Sequence, residues 1–208
     1  QVVLEAQRLG LVAVGITDHD SVDGIEPALA AGKQHKVEIV PGVEMSATMN
    51  GVDVHILGYY IGHANPAVGA FFAKVCKARL ERAEKMVQKL NELGVKVDLE
   101  RVLELAQAGA VGRPHVAQAM VEAGAVQSIA EAFDRYIGYE GPAYFPKMRL
   151  TPLEAIEFIH RNRGLAVVAH PATYGKDEAV YAAIGAGVDG IEVWHPDHDK
   201  RAVAHYAE

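Results

Sequence analysis

The sequence contains one cysteine, Cys76, and this scarcity excludes two ways of stabilising a fold. A single cysteine cannot form an internal disulfide, and it cannot supply the paired thiolates of a zinc finger. Cys76 also lies on the apolar face of a predicted helix, which is a poor environment for a nucleophile. The chain must therefore depend on a packed core, for which its length of 208 residues and 50% hydrophobic content suffice.

Other signals are missing as well. No apolar run reaches the roughly 20 residues that span a bilayer, and no signal peptide precedes the chain, so we expect a cytoplasmic protein without a membrane partner. The motifs G-x-S-x-G, G-x-x-x-x-G-K and G-x-G-x-x-G do not occur. The net charge of -7 argues against a large nucleic-acid surface, although it permits a local pocket for one phosphate.

Ten histidines are present, and one of them follows the first predicted strand. The apolar run at residues 11–16 ends in Asp18, His19 and Asp20. Polar groups at the C-terminal end of a buried strand are typical of an active or metal site in parallel β/α folds. The alternative is a solvated turn in which Asp20 or Asp23 caps the next helix.

A second feature is Asn50-Gly51, the strongest short signal for a β-hairpin. If these two residues form the turn, Ser46 lies opposite His55. Glu44 and His55 then lie on the same face as diagonal neighbours, close enough to bind one ion.

Two later apolar segments each end in His-Pro, at His170 and His195. Proline ends the strand and favours an extended conformation for the residue before it, so both histidines are predicted at strand tips. Histidine with carboxylate and without thiolate suits zinc, manganese or iron. The histidines without such placement are predicted to be surface residues: His35, His63, His160, His198 and His205.

The pattern divides the chain into three segments. Residues 1–64 and 151–208 alternate strands and helices, whereas residues 65–150 contain only helical periodicity. We therefore expect an all-helical insertion that serves as a lid. Its basic residues Arg113 and Lys147 are candidates for closing over an anionic substrate, although most such residues are merely solvated.

Four stretches in order, ITDHDSVDG, PGVEMSA, VDVHILGYY and VVAHP, resemble the motifs of the PHP (polymerase and histidinol phosphatase) domain, especially its small phosphoesterases acting on nucleotides. The resemblance implies an α/β fold, namely a distorted (β/α)7 barrel with an inserted helical domain. It also implies a cluster of two or three divalent metals, with manganese expected and zinc or iron possible. The implied activity is hydrolysis of phosphate esters of nucleotides or short oligonucleotides by metal-activated water.

Matched position by position, the resemblance assigns roles to single residues. The metal ligands are His19, Glu44, His55 and His170. Catalytic roles fall to Asp18, as a supporting residue, and to His19, Glu44 and Arg113. The residues expected to bind the phosphorylated substrate are Arg113, His115, Lys147 and His195. Two alternatives stay open: a degenerate, non-catalytic PHP module, and a metal-dependent hydrolase of the amidohydrolase kind.

The sequence also departs from the family, which begins with an H-x-H strand and finishes with a D-x-H strand. Neither motif occurs here, so we expect the chain to be the middle of a longer protein. The remaining ligands are expected to hold one ion weakly, and the exposed strand edges are expected to cause association.

Overall fold

The computed structural model describes residues 1–107 and 109–208, and it divides the chain into two units. The first unit comprises Gln1–Phe72 with Arg149–Glu208, and the second comprises Ala73–Met148. The strands are β1 Ala13–Ile16, β2 Glu38–Met49, β3 Val52–Tyr59, β4 Leu165–Val168 and β5 Gly190–Ile191. The helices are α1 Val2–Arg8, α2 Ile25–His35, α3 Pro66–Glu92, α4 Leu99–Ala106, α5 Arg113–Glu122, α6 Ile129–Ala132, α7 Pro152–Arg161, α8 Glu178–Gly185 and α9 Lys200–Ala207.

The five strands form one mixed sheet in the order β1-β2-β3-β4-β5. β1 pairs with β2 in parallel, and β4 pairs with β5 in parallel. β3 is antiparallel to both of its neighbours, so it alone runs against the direction of the other four strands. The ends of β1 and β4 therefore point to the same edge of the sheet, and the chain segments that follow them meet there.

The predicted hairpin is confirmed in its turn and in its register. Asn50 and Gly51 have φ values of 50° and 83°, which glycine and asparagine adopt most easily. Ser46 lies opposite His55, and Glu44 lies opposite Leu57.

The apolar residues before Pro41 predict a strand that ends at this proline, but β2 continues through it to Met49. β2 pairs with β1 up to Pro41 and with β3 from Gly42 onward. Pro41 has no N–H to donate, but its carbonyl oxygen still accepts a hydrogen bond from the backbone of Tyr60 at 2.6 Å. A Cβ at Gly42 would lie 3.0 Å from the Gly58 carbonyl oxygen, so only glycine permits this close approach.

The strand predicted at residues 190–196 is also shorter than expected. Glu192 still donates its N–H to the Val168 carbonyl at 2.9 Å. Beyond this bond the neighbouring chain leaves the sheet, because a 3-10 segment at Pro171–Tyr174 follows His170. In the part of the chain that the structure describes, residues 193–195 consequently pair with no strand.

α7 covers the sheet of the first unit and begins with a capping box. The Thr151 hydroxyl accepts from the Glu154 N–H, and the Glu154 carboxylate accepts from the Thr151 N–H at 2.7 Å. Ile156 and Ile159 on this helix are fully buried, which stabilises the fold by about 1.5–3 kcal/mol for each side chain. Their neighbours in this core include Val43, Ile56, Phe72, Ala166 and Val168.

The second unit is helical in its described residues and has its own core. α5 begins at Arg113, after Gly112. The Ser128 hydroxyl caps α6 by accepting from the Glu131 N–H, and the chain then continues as a π-helix at Phe133–Ile137. The buried residues in the core of the second unit include Met86, Leu90, Val102, Val116, Met120 and Ile137. Among the helices of the described residues, none combines the length and apolar character needed to cross a bilayer.

Candidate metal centre

His19 reaches the sheet edge through a bridge that extends the pairing of β1 with β2. The Asp18 carbonyl accepts from the Glu44 N–H at 3.0 Å, and the Asp20 N–H donates to the Glu44 carbonyl at 2.9 Å. These two bonds flank His19 and form a parallel bridge between His19 and Glu44. The backbone therefore places the imidazole of His19 beside the carboxylate of Glu44, with 3.7 Å between Nε2 and Oε2.

His55 reaches Glu44 from the neighbouring strand, as the hairpin register requires. The His55 Nδ1 atom lies 2.8 Å from Glu44 Oε1. β2 is held in place opposite His55, because the buried carboxylate of Asp20 accepts a hydrogen bond from the Ser46 N–H at 2.8 Å. Asp20 thus supports the sheet beneath the site and does not cap α2, whose N-cap is Gly24.

His170 joins the same group from the end of β4. Its Nε2 atom lies 3.1 Å from Glu44 Oε1 and 3.1 Å from His55 Nδ1. The extended conformation predicted for His170 is wrong, because its φ and ψ are 28° and 55°. Hydrogen bonds compensate for this strained geometry: the N–H donates to Glu192 Oε2 at 2.7 Å, and the carbonyl accepts from the Thr173 N–H at 3.0 Å.

The three atoms Glu44 Oε1, His55 Nδ1 and His170 Nε2 form a triangle with sides of 2.8, 3.1 and 3.1 Å. Ligand atoms that lie about 2.1 Å from one divalent ion are themselves separated by roughly 3 Å. A ligand atom from each of His19, Glu44 and His55 also falls within 4.8 Å of the other two. Nitrogen and carboxylate donors at these separations fit a divalent ion such as zinc, manganese or iron.

The electrostatics of the site favour ionised Glu44. Burial alone would raise the pKa of this carboxyl, but hydrogen bonds with His170 and His55 and the charge of His19 outweigh it, so the pKa lies well below its usual range. For His170, burial lowers the pKa, but the hydrogen bond and charge of Glu44 reverse the effect and raise it. The carboxylate is therefore charged at neutral pH and is available to a cation.

No sequence pattern indicated the residues that orient His170. The Thr173 hydroxyl donates to the His170 carbonyl at 2.9 Å, so its oxygen can accept the proton of His170 Nδ1, also at 2.9 Å. With its proton on Nδ1, the ring can offer the lone pair of Nε2 to a metal ion, whereas without an ion a protonated Nε2 donates to Glu44. Thr173 and Glu192 were both missed because neither belongs to a recognisable motif.

Tyr174 was missed for the same reason. Its buried hydroxyl donates to the Ala169 carbonyl at 2.6 Å and accepts from the His55 N–H at 3.0 Å. Burial raises the pKa of this phenol, so it remains protonated. The hydroxyl therefore ties the backbone at His55 to the residue before His170.

The other predicted site residues lie in varied positions. The Asp18 carboxylate lies against Gly24, where a Cβ would approach within 2.3 Å of Oδ2. The His195 ring lies beside His170, with 5.3 Å between the centroids. The remaining three belong to the second unit: Arg113, His115 and Lys147.

Of these three, His115 has a structural partner, because its Nδ1 atom accepts from the Gly112 N–H at 3.0 Å. Burial and the charge of Arg79 lower the pKa of His115. The guanidinium of Arg113 lies over three aromatic rings of its own unit. Roles of the three in substrate binding stay predictions.

Comparison with known proteins finds related sequences, although no family model matches the chain. The chain is 35% identical over 169 residues to the 5′-3′ exoribonuclease Rnm of Escherichia coli, covering 80% of this chain and 57% of that protein. It is 28% identical over 204 residues to a 3′,5′-nucleoside bisphosphate phosphatase of Chromobacterium violaceum, covering 95% and 72%.

Two solved structures are similar as well. One is a Bifidobacterium adolescentis protein assigned to the metal-dependent phosphoesterases, with a TM-score of 0.86, 29% identity and coverage of 99% of this chain and 75% of that one. The other is an amidohydrolase from Chromobacterium violaceum with bound sulfate, with a TM-score of 0.89, 28% identity and coverage of 100% and 75%. The chain thus spans 57% of the exoribonuclease and three quarters of both structures.

Proposed function

We propose that the chain is the larger part of a metal-dependent phosphoesterase that hydrolyses phosphate esters of nucleotides or short oligonucleotides. The observation that carries the proposal is the triangle of Glu44 Oε1, His55 Nδ1 and His170 Nε2, with sides of about 3 Å. His19 adds a fourth donor on the exposed side, since half of its side chain is accessible. A substrate can therefore approach the ion from the side of His19.

Each residue has a role in this proposal. His19, Glu44, His55 and His170 would hold the divalent metal, which would supply an activated water for hydrolysis and offset charge on the phosphoryl oxygens. Glu44 supplies the negative charge that offsets the cation. Asp18 supports the strand end through its carbonyl bond to the Glu44 N–H. Arg113, with its planar fork of N–H donors, orients the phosphate, assisted by His115, Lys147 and His195.

The relatives support this substrate class. An exoribonuclease and a nucleoside bisphosphate phosphatase both act on phosphate esters of nucleotides. The similar amidohydrolase structure contains sulfate, a tetrahedral anion with the shape of phosphate. Within this proposal the chain belongs to the PHP family and has its distorted (β/α)7 barrel, and residues 65–150 form the lid. The proposed metal is manganese, and the proposed location is the cytoplasm.

The test is a panel of phosphate esters assayed with the purified chain and with its full-length parent. Nucleoside monophosphates, nucleoside bisphosphates and short RNA are incubated with Mn²⁺ or with EDTA. We expect phosphate release or RNA shortening that EDTA abolishes. His55→Ala should abolish it as well, whereas His35→Ala, at the C-terminal end of helix α2, should not. No metal-dependent turnover by the parent on any substrate would overturn the proposal.

A second candidate is hydrolysis of an amide or another C–N bond, and the similarity to the amidohydrolase structure favours it. Metal-activated water serves both reactions. Adding N-acyl amino acids and dihydropyrimidines to the same panel separates the two. A non-catalytic module would bind metal without turning over either class.

A further inference from the structure

We propose that Tyr139, backed by the guanidinium of Arg113, stacks against a nucleobase of the substrate, an inference that rests on the nucleotide phosphoesterase function proposed above. The site is named here the aromatic platform, and it consists of Arg113, Phe133, Tyr139 and Tyr144. All four residues belong to the second unit.

The platform is built around one cation. The Arg113 guanidinium carbon lies 4.9 Å from the ring centroid of Tyr139, 5.2 Å from that of Phe133 and 5.8 Å from that of Tyr144. The rings of Tyr139 and Tyr144 are 5.2 Å apart. A second guanidinium, on Arg82, lies 5.8 Å from Tyr144. Aromatic rings interleaved with arginine are the groups on which proteins stack unpaired bases.

The platform has a buried side and an accessible side. Phe133 is partly buried and packs against the core of the second unit, which anchors the cluster. Tyr139, in contrast, is 47% exposed although it is a large aromatic residue. Its ring therefore has surface accessible to a planar ligand.

Backbone hydrogen bonds on both sides of Tyr139 define the turn that carries it, and a preformed turn lowers the entropy lost on binding. Gly138 donates its N–H to the Phe133 carbonyl at 2.8 Å, and Gly141 donates to the Gly138 carbonyl at 2.9 Å. A Cβ at Gly138 would lie 2.5 Å from the Phe133 carbonyl oxygen, so the turn requires glycine there. The preceding residues form a π-helix, a distortion frequent at functional sites.

The charge distribution agrees with an anionic ligand that carries a base. Residues 73–148 contain 11 Lys and Arg against 10 Asp and Glu, whereas the rest of the chain contains 9 against 17. The second unit is thus slightly positive in a strongly negative chain. A nucleotide meets both requirements, because its phosphate suits the cations and its base suits the rings.

The experiment measures base binding separately from catalysis. The metal-free chain is titrated into a 5′-phosphorylated RNA dinucleotide whose first base is 2-aminopurine, and stacking is detected as quenched fluorescence. We expect Tyr139→Ala to weaken binding at least about fivefold, and Tyr139→Phe to retain it because the ring face is kept. The matched control is Tyr181→Ala on α8, which removes another exposed tyrosine, 63% accessible, from the first unit.

A kinetic comparison then relates the platform to the reaction. With metal, the wild-type chain or its parent should have a lower KM for adenosine 5′-phosphate than for ribose 5-phosphate, and Tyr139→Ala should reduce this preference. Quenching without turnover would overturn the proposed function and leave the platform standing. Equal KM values with unchanged quenching in Tyr139→Ala would overturn the platform alone. A variant that is less stable on heating but binds the base normally would show that the cluster is only structural.

Discussion

The Thr173 hydroxyl oxygen lies 2.9 Å from both the carbonyl oxygen and the Nδ1 atom of His170. Because the hydroxyl donates its only proton to the carbonyl, it must accept the proton of Nδ1. One small side chain therefore sets both the strained backbone and the tautomer of a candidate ligand.

Removing this hydroxyl should weaken metal binding without removing a ligand. We expect Thr173→Val to lower the affinity for Mn²⁺ by about tenfold to a hundredfold, which is the usual effect of losing the partner of a ligating histidine. Competition with a fluorescent chelator measures it. Thr173→Ser keeps the hydroxyl and should restore most of the affinity. Equal affinities of the valine and wild-type proteins would show that Thr173 does not orient the ring.

Replacing Glu44 by Gln should affect the metal more strongly. The carboxylate lies between His55 and His170 and supplies the charge at the centre of the group. We expect at least about a tenfold loss of affinity for a divalent ion, measured by equilibrium dialysis and elemental analysis. His35→Ala is the control, since the exposed ring of His35 contacts the Gln7 side chain, with 3.1 Å between Nδ1 and Oε1. Retention of metal by the glutamine variant would exclude Glu44 as a ligand.

Gly42 and Gly69 should respond oppositely to alanine. A Cβ at Gly42 would lie 2.8 Å from Thr17 Cγ2 and 3.0 Å from the Gly58 carbonyl, so Gly42→Ala should destabilise the fold by about 1–3 kcal/mol. A Cβ at Gly69, within α3, meets nothing within 4 Å, and Gly69→Ala should stabilise by about 0.5–1 kcal/mol. Denaturant unfolding measures both. Equal effects of the two substitutions would contradict the close strand contact.

Asp189 should make stability depend on pH. Its carboxylate accepts from the Ala166 N–H at 2.8 Å and from His160 Nε2 at 2.7 Å, and these bonds hold its pKa below the ordinary value of 3.8. The charged form is thus favoured by folding, so its stabilisation is present above pH 3.8 and is lost as pH falls through the lowered pKa.

The measurement is the difference in Tm between the wild-type protein and Asp189→Asn as pH falls from 6 to about 2, through the lowered pKa of Asp189. The difference should shrink over the acidic end of this range, because both proteins then carry an uncharged group. Glu157→Gln, in an exposed pair with Arg161, should show little difference at any pH. If the difference in Tm between the wild-type protein and Asp189→Asn stays constant with pH, the charge of Asp189 does not contribute to stability.

Much of the site followed from local rules of sequence. The turn at Asn50-Gly51 fixes the hairpin, so the contact between Glu44 and His55 follows by counting residues. The approach of His170 was predictable in outline, because polar residues after parallel strands meet at one sheet edge. Its conformation was not, because the bonds to Thr173 and Glu192 depend on tertiary structure that no motif encodes.

The extent of the strands was harder to predict. Proline usually ends a strand, yet β2 passes through Pro41 because its pairing partner changes there. The π-helix at Phe133–Ile137 likewise has no periodic signature, since five residues resemble one more turn of α-helix. Such departures arise from packing, which outweighs local preference.

The hairpin of β2 and β3 also has a consequence for the order in which the site assembles. Glu44 and His55 meet across a two-residue turn, a contact whose formation costs little chain entropy. His170 must be recruited over a separation of 115 residues, which include the whole helical unit. We therefore expect the hairpin to provide a two-ligand half-site early in folding, and β4 to complete it in a slower step that a divalent ion accelerates.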